Sequence, residues 1–205
     1  MFENYRVFET ELAGRKITFE TGKMCALANA SVLVRYGDTA VLCNATASKT
    51  PREGIDYFPL SVDFDEKLYS VGKIPGSFPR REGRPTDRAI LDSRVVDRPM
   101  RPLFPKDMRN DCSVVMSALS VDPDYPYVIC GMIGASMAVA ISDIPWNGPI
   151  AGCQVALVDG EIILNPTAEQ EAKSDLHLIV SSTDQKVVMI EAGANEVDNE
   201  TMLKA

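Results

Sequence analysis

The chain has 205 residues, 45% hydrophobic and 24% charged, which suits one large domain or two small ones with a real core. No apolar run approaches the roughly 20 residues that span a membrane. The opening MFENYRVFETELAGRK alternates and carries early charges, unlike a secretory signal, so the expected setting is cytoplasmic with no membrane partner. The net charge of −8 excludes indiscriminate nucleic-acid binding over the whole surface, so any such binding must be local.

Residues 4–21 read as a hairpin, with Phe8 and Leu12 alternating against Val7, Glu9 and Glu11 up to an Ala13-Gly14 turn, and Ile17 and Phe19 on the return. Residues 31–36 and 39–45 form a second pair around Gly37-Asp38, with Val41 and Cys43 on one face and Leu42 and Asn44 on the other. Pro51, Gly54 and Pro59 make 48–60 irregular, and 61–67 is a short strand. Residues 73–86 are loop, because Pro75, Gly76, Pro79, Gly83 and Pro85 forbid regular structure. Thr86 is a good helix cap, with Asp87 placed to suit the dipole, and the spacing predicts a helix over 87–98 that stops at Pro99. On it Leu91, Val95 and Arg98 share one side, and Ile90, Arg94 and Asp97 the next. Residues 114–121 are strand-like. Residues 127–142 are apolar nearly all round, a buried helix whose small residues allow close approach to a sheet. Hairpins follow at 154–164, around Asp159-Gly160, and at 176–192. A helical pattern opens at Val197 and ends with the chain, which predicts a piece of something longer. The pattern as a whole predicts one α+β domain with helices packed on mixed sheet.

Residues 73–109 hold ten of the 21 Lys and Arg residues and five of the 29 Asp and Glu, a formal +5; the remaining 11 basic and 24 acidic residues make −13. Eight of the ten are Arg, whose planar fork suits phosphate. Two readings stay open. One is a path for a polyanion, single-stranded nucleic acid. The other is a solvated helix with internal ion pairs, since Asp87, Asp92 and Asp97 interleave with Arg88, Arg94 and Arg101. Arg94 and Arg98 are helical neighbours that repel unless an anion or carboxylate lies between them. Phe78, on the stiff loop beside arginines, suits stacking on an unpaired base, or equally anchors the loop.

Other candidates carry less. There is no nucleophile–base motif, no GxSxG and no Walker loop. Glu169, Glu171 and Asp175 read as a solvated acidic loop rather than a metal site. His177 reads as a satisfied or exposed histidine rather than a general base. Cys130-Gly131-Met132-Ile133-Gly134 at a helix start reads as glycine packing rather than anion binding, and Trp146 as a packing anchor. The five cysteines show no CxxC pair, and four sit in apolar surroundings while Cys112 follows Asp111, so reduced core thiols are expected.

The segments GDTAVLCNATAS, IPGSFPRREGRPTDRAILDSRVVDRPMRPLFP and DIPWNGPIAGCQVALVDGEIILNPT resemble the first RNase PH-like core domain of the bacterial polynucleotide phosphorylase family, over essentially the whole chain. The resemblance implies an RNase PH-like β-α-β fold and a longer protein with a helical segment, a second core domain and RNA-binding domains beyond it. It also implies a homotrimeric ring that degrades single-stranded RNA from the 3′ end, with inorganic phosphate as co-substrate and Mg²⁺ bound outside this chain. The family's Phe-Phe-Arg-Arg channel loop falls on Ser77-Phe78-Pro79-Arg80-Arg81, with a proline in place of one aromatic. Arg84, Arg94, Arg98 and Arg101 match further RNA- or phosphate-facing arginines. Where the family's second copy has a phosphate-holding serine cluster, this chain has Pro126, Tyr127 and Val128. Where it has metal-binding aspartates, this chain has Lys173 and Thr167, and a lysine cannot ligate Mg²⁺. The resemblance therefore implies no catalytic and no metal residue here: a silent copy that shapes the channel and grips RNA. A scaffold subunit of an RNase PH-type ring and a stand-alone RNase PH-type enzyme are the alternatives.

Overall fold

The computed structural model describes residues 2–76 and 78–205; Met1, and Ser77 of the predicted loop, lie outside the described residues. Strands β1 (Arg6–Leu12), β2 (Arg15–Thr21), β3 (Ala30–Tyr36), β4 (Thr39–Pro51), β5 (Leu60–Glu66) and β6 (Asn110–Ser120) form one sheet in the order β1-β2-β3-β4-β6-β5. Strands β7 (Ala151–Val158), β8 (Glu161–Leu164), β9 (Leu176–Ser182) and β10 (Val187–Ala194) form a second, ordered β10-β9-β7-β8. Every pairing is antiparallel except β5 with β6. A parallel pair cannot close through a tight turn; it needs a long crossover, usually helical. That crossover is the arginine-rich stretch, carried by helix α1 (Asp87–Met100). The molecule is thus α+β, with one β-α-β unit at an edge of the first sheet.

Helix α2 (Tyr127–Ala140) packs against both sheets. Alternation along the strands turns Val34, Val41, Cys43, Val114 and Met116 inward, where they form one core with Ile129, Met132, Ala135 and Val139. The glycines of α2 set the approach distance. A Cβ on Gly131 would lie 2.5 Å from the Phe64 ring, and one on Gly134 would lie 2.5 Å from Cys43 Sγ and 2.6 Å from Val34. Both therefore serve packing, as the sequence suggested, and the helix starts four residues before Gly131. Trp146 is the expected anchor: its indole N–H donates to the Met100 carbonyl at 3.1 Å and its ring lies 6.0 Å from Phe104.

Several expectations need correction. Strand β4 runs on to Pro51, through part of the stretch expected to be irregular, because β6 starts at Asn110 and extends the ladder past a bulge between Ala47 and Pro51. Helix α1 passes through Pro99 to Met100; a proline late in a helix forfeits one hydrogen bond, and the Arg101 N–H still reaches the Asp97 carbonyl. Its buried side is Ala89, Val95, Val96, Pro99 and Met100, so Leu91 faces out instead of sharing the core with Val95. The acidic loop at 168–172 is the short helix α3 (Ala168–Ala172), closed by a capping box between Thr167 and Gln170. The last helix, α4, spans Asn199–Lys204. All five cysteines are free thiols, but Cys112 is buried and Cys25 exposed, the reverse of what their neighbours suggested. Cys112 alternates inward with Val114 and Met116, and burial pushes its thiol up to about 11.

Filling the α2–sheet contact tests this architecture. Gly134→Ala overpacks a site walled by β3 and β4 and is expected to cost about 1–3 kcal/mol, read as a lower midpoint in urea. Gly14→Ala makes the control for local strain, since its φ of +71 is unfavourable but no neighbour lies within 4 Å.

Candidate nucleic-acid interface

The cationic stretch leaves β5 through the 3-10 turn Leu68–Val71, runs as an exposed loop, and re-enters regular structure at Thr86. The Thr86 hydroxyl accepts from the Ala89 N–H at 3.0 Å, capping α1 as predicted, and donates to Glu66 Oε2 at 2.7 Å. Upstream, Glu82 Oε1 accepts from the Leu68 N–H at 2.9 Å. Two carboxylates thus tie the base of the loop to the end of β5 and the turn after it.

The predicted residues fall into two groups. Phe78 is fully exposed at 103% of its reference area, and so is not an anchor tucked under its loop. Arg80 stands beyond it with φ at +47°, a left-handed conformation that costs a non-glycine residue roughly 1–2 kcal/mol. Arg81, Arg84 and Arg94 are exposed. Among the described residues Arg80, Arg84 and Arg94 have no hydrogen-bond or ion-pair partner. Arg98 and Arg101 are engaged. Arg98 reaches Glu191 on β10 at 2.7 Å, and Arg101 forks onto Asp97 at 2.7 and 3.0 Å while also donating to the Leu60 carbonyl at 3.1 Å. The two readings of the stretch therefore divide it: Arg88, Arg98 and Arg101 of α1 and its C-cap meet carboxylates, while Arg80 and Arg84 of the loop and Arg94 of the helix meet none among the described residues. Ile90 and Leu91, 49% and 58% exposed, lie on the same outward side as Arg94.

Sequence reasoning missed the cluster behind this face. The Tyr127 hydroxyl lies 2.8 Å from both Glu66 Oε1 and Asp92 Oδ2. The Arg88 guanidinium sits 5.5 Å above the Tyr127 ring and 3.9 Å from Asp92. These residues lie 61 and 35 positions apart in the chain, so no spacing pattern joins them. One phenolic proton serves only one carboxylate at a time. The second contact needs a proton of its own, and burial holds Asp92's carboxyl above the ordinary range, opposed by Tyr127 and Arg88. Burial, the Asp92 charge and the carboxylate contacts push the Tyr127 phenol up in turn.

A cavity of about 610 Å³ opens at the start of α2, lined in part by Arg88, Asp92, Tyr127, Gln154, Glu171 and His177. His177 Nδ1 lies 3.3 Å from both Glu171 Oε1 and Gln154 Nε2, a satisfied and half-exposed ring. Pro126 caps α2 and offers no side-chain oxygen. Lys173 pairs with Glu169 at 2.7 Å, and Thr167 caps α3. Asp175 accepts from Asn195 at 3.2 Å. A lysine paired to its own helix and a hydroxyl spent on a cap do not suit Mg²⁺, and no group of three or more acidic, His or Cys side chains placed to hold a metal occurs among the described residues.

A mixed sheet containing one β-α-β crossover, a second antiparallel sheet, and a helix packed on both make an RNase PH-like arrangement. The crystal structure of rice (Oryza sativa) Rrp46 superposes with a TM-score of 0.69 at 13% identity, covering 100% of this chain and 86% of that one. Residues 13–145 match the description "3′ exoribonuclease family, domain 1", and residues 148–205 match "domain 2" of the same family. The chain belongs to the 3′ exoribonuclease family. It is 59% identical over 200 residues to the polyribonucleotide nucleotidyltransferase of Heliobacterium modesticaldum, covering 98% of this chain and 28% of that protein. It is 57% identical over 201 residues to the protein of that name from Ruminiclostridium cellulolyticum and 56% identical over all 205 residues to that from Clostridioides difficile, covering 29% of each. The chain thus spans less than a third of the length of these curated relatives.

The buried cluster makes a signed prediction. A carboxyl held above its unfolded value contributes stability that is complete below that value and is lost as pH rises through the folded one. Asp92→Asn cannot ionise and keeps a donor for Tyr127. Its melting temperature relative to the parent is therefore expected to climb with pH, starting near the ordinary aspartate value of 3.8 and levelling once Asp92 is charged. A difference that is flat across the acid range, read by scanning calorimetry, would show that Asp92 titrates like an exposed aspartate.

Proposed function

We propose that the chain is the first RNase PH-like core domain, residues 1–205, of a longer phosphate-dependent 3′-to-5′ exoribonuclease, a polyribonucleotide nucleotidyltransferase acting in mRNA degradation in the cytoplasm. The observation that carries this is the 56–59% identity to relatives of that name, unbroken over 98–100% of the chain. In this reading the chain grips single-stranded RNA and helps build a homotrimeric ring, while phosphate attacks the terminal phosphodiester at a site outside it. Mg²⁺ belongs to that other site.

The grip is assigned to Phe78, Arg80, Arg81, Arg84 and Arg94, with Arg98 and Arg101 at the far end of α1. Phe78 projects a fully exposed ring beside cations, which suits a sequence-tolerant base stack. Arg84 and Arg94 have no carboxylate to leave before meeting a phosphate. Catalytic silence is supported by what occupies the start of α2, a proline cap and a phenol locked between two carboxylates, where a phosphate would need hydroxyls.

Two measurements bear on this. Given oligo(A), phosphate and Mg²⁺, the chain is expected to release no nucleoside diphosphate; release would overturn the silent assignment. Binding to oligo(A) is expected to weaken with salt, and Arg94→Ala should lower the slope of log K against log salt by about one. Arg101→Ala should change it less, because Asp97 and the Leu60 carbonyl already hold that side chain. Equal slopes for Arg94→Ala and the parent would remove α1 from the RNA path.

A further inference from the structure

A second cavity, of about 510 Å³, opens at the root of the arginine loop. Its walls come from both ends of that loop: Leu68, Ser70 and Val71 before it, Glu82, Arg84 and Thr86 after it. Its inner side is aromatic and small, with Phe64 and Tyr127 set edge-to-face at 5.4 Å above Ala89 and Ala118. The 3-10 turn Leu68–Val71 buries none of its residues, and Leu68 and Val71 remain 36% and 51% exposed beside the opening. Leu68 and Val71 thus place apolar surface at the mouth of the cavity.

We infer that this cavity is a pocket for one unstacked nucleobase of the RNA strand held by the loop. The inference rests on the RNA-binding reading above and adds a subsite to it. Charge favours a base over a phosphate. The lining cations Lys67, Arg84 and Arg88 are balanced by Asp65, Glu66 and Glu82, so the interior has no net attraction for an anion. The size falls within the range of small-molecule sites, roughly 300–1,000 Å³. Single-stranded RNA is read by splaying bases into such sites against aromatic rings and guanidinium planes. The ring that forms the wall is rigid, since the Tyr127 hydroxyl is fixed by Glu66 and Asp92 and its face is covered by Arg88. Arg84, unpaired among the described residues and lining the cavity, is placed to hold the phosphodiester next to an inserted base. Glu82 spends Oε1 on the Leu68 N–H and has Oε2 as an acceptor for the edge of the base.

The test separates base from backbone. Oligo(A) and a ribose-phosphate strand of equal length lacking bases are titrated against the chain and against Val71→Trp, which puts an indole at the opening from an exposed position. The pocket requires Val71→Trp to bind oligo(A) about tenfold more weakly, the scale of one lost base stack, with the baseless strand unaffected. Oligo(A) binding unchanged in Val71→Trp overturns the inference, as does an equal loss for both strands. Should neither strand bind the parent chain, the RNA-binding reading itself fails. A second measurement avoids dependence on one variant. With 2-aminopurine in the strand, the emission change on binding should persist in Phe78→Ala and vanish in Val71→Trp. Its disappearance in Phe78→Ala alone assigns the stacked base to the loop and overturns the pocket.

Discussion

The parallel pairing of β5 with β6 governs the placement of everything functional in this chain. Seven residue pairs in register, from Leu60 with Cys112 to Glu66 with Ala118, fix two strands pointing the same way. The chain must then return the full length of a strand outside the sheet, and only a crossover of a dozen or more residues does so. Helix α1 covers that return by burying Ala89, Val96 and Met100 against the sheet, which leaves its other side to face outward. The loop before α1 is an excursion that returns to its origin, since the Thr86 hydroxyl at the start of α1 donates to Glu66 at the end of β5. An arginine stretch on this connection is held by the sheet beneath it and needs no rigid structure of its own. Glu66, the last residue of β5, sets the join. One oxygen takes the Thr86 hydroxyl that caps α1, and the other takes the Tyr127 hydroxyl at the first turn of α2. Strand end, crossover helix and buried helix therefore meet on one carboxylate.

The ion pairs along α1 decide how the cationic surface behaves, and their size matters more than their number. Arg101–Asp97 is a partly exposed pair four residues apart, the kind worth about 0.3–0.5 kcal/mol. A phosphodiester offering the same fork geometry displaces such a carboxylate at little cost, so the pairing does not by itself exclude Arg101 from an RNA path. Arg98 differs, because its partner Glu191 belongs to the second sheet. Moving Arg98 onto RNA would give up a link between α1 and β10. Arg84 and Arg94 face neither cost. The stretch is thus graded from Arg84 and Arg94, which have no partner among the described residues, to the end of α1, where the cations also hold the molecule together.

Most of the fold was legible because its signals are local. Strand alternation placed Val41 and Cys43 together, turn dipeptides located the hairpins, and Thr86 marked the start of α1. The failures come from interactions between distant segments. Nothing near Thr46 says that β6 will extend the ladder to Pro51. Helical spacing grouped Leu91 with Val95, but a crossover helix on an edge strand buries a narrower side than its apolar residues suggest. Cys112 was judged by its neighbour Asp111, although alternation with Val114 would have turned it inward. The candidate site divides the same way. Its arginines were visible as a local excess of charge. Glu66, Asp92 and Tyr127 come from three elements, and only folding brings one phenol between two acids.

Tyr127 connects the two halves of the functional reading. The cavity at the start of α2 and the cavity at the root of the loop share Arg88, Val121 and Tyr127 as a common wall. On one side, a tyrosine after a proline cap removes the small hydroxyls with which a helix start could hold phosphate. On the other, the same ring, with the Arg88 guanidinium over its face, forms part of the wall of the inferred base pocket. A serine in its place would free the Glu66 and Asp92 carboxylates to face each other across open space and would erase the wall of the second cavity. In the reading proposed above, the residue that leaves no small hydroxyl at one face also lines the base pocket at the next. Under the proposed function, in which this chain holds a strand that another part of the molecule cuts, both effects act in the same direction.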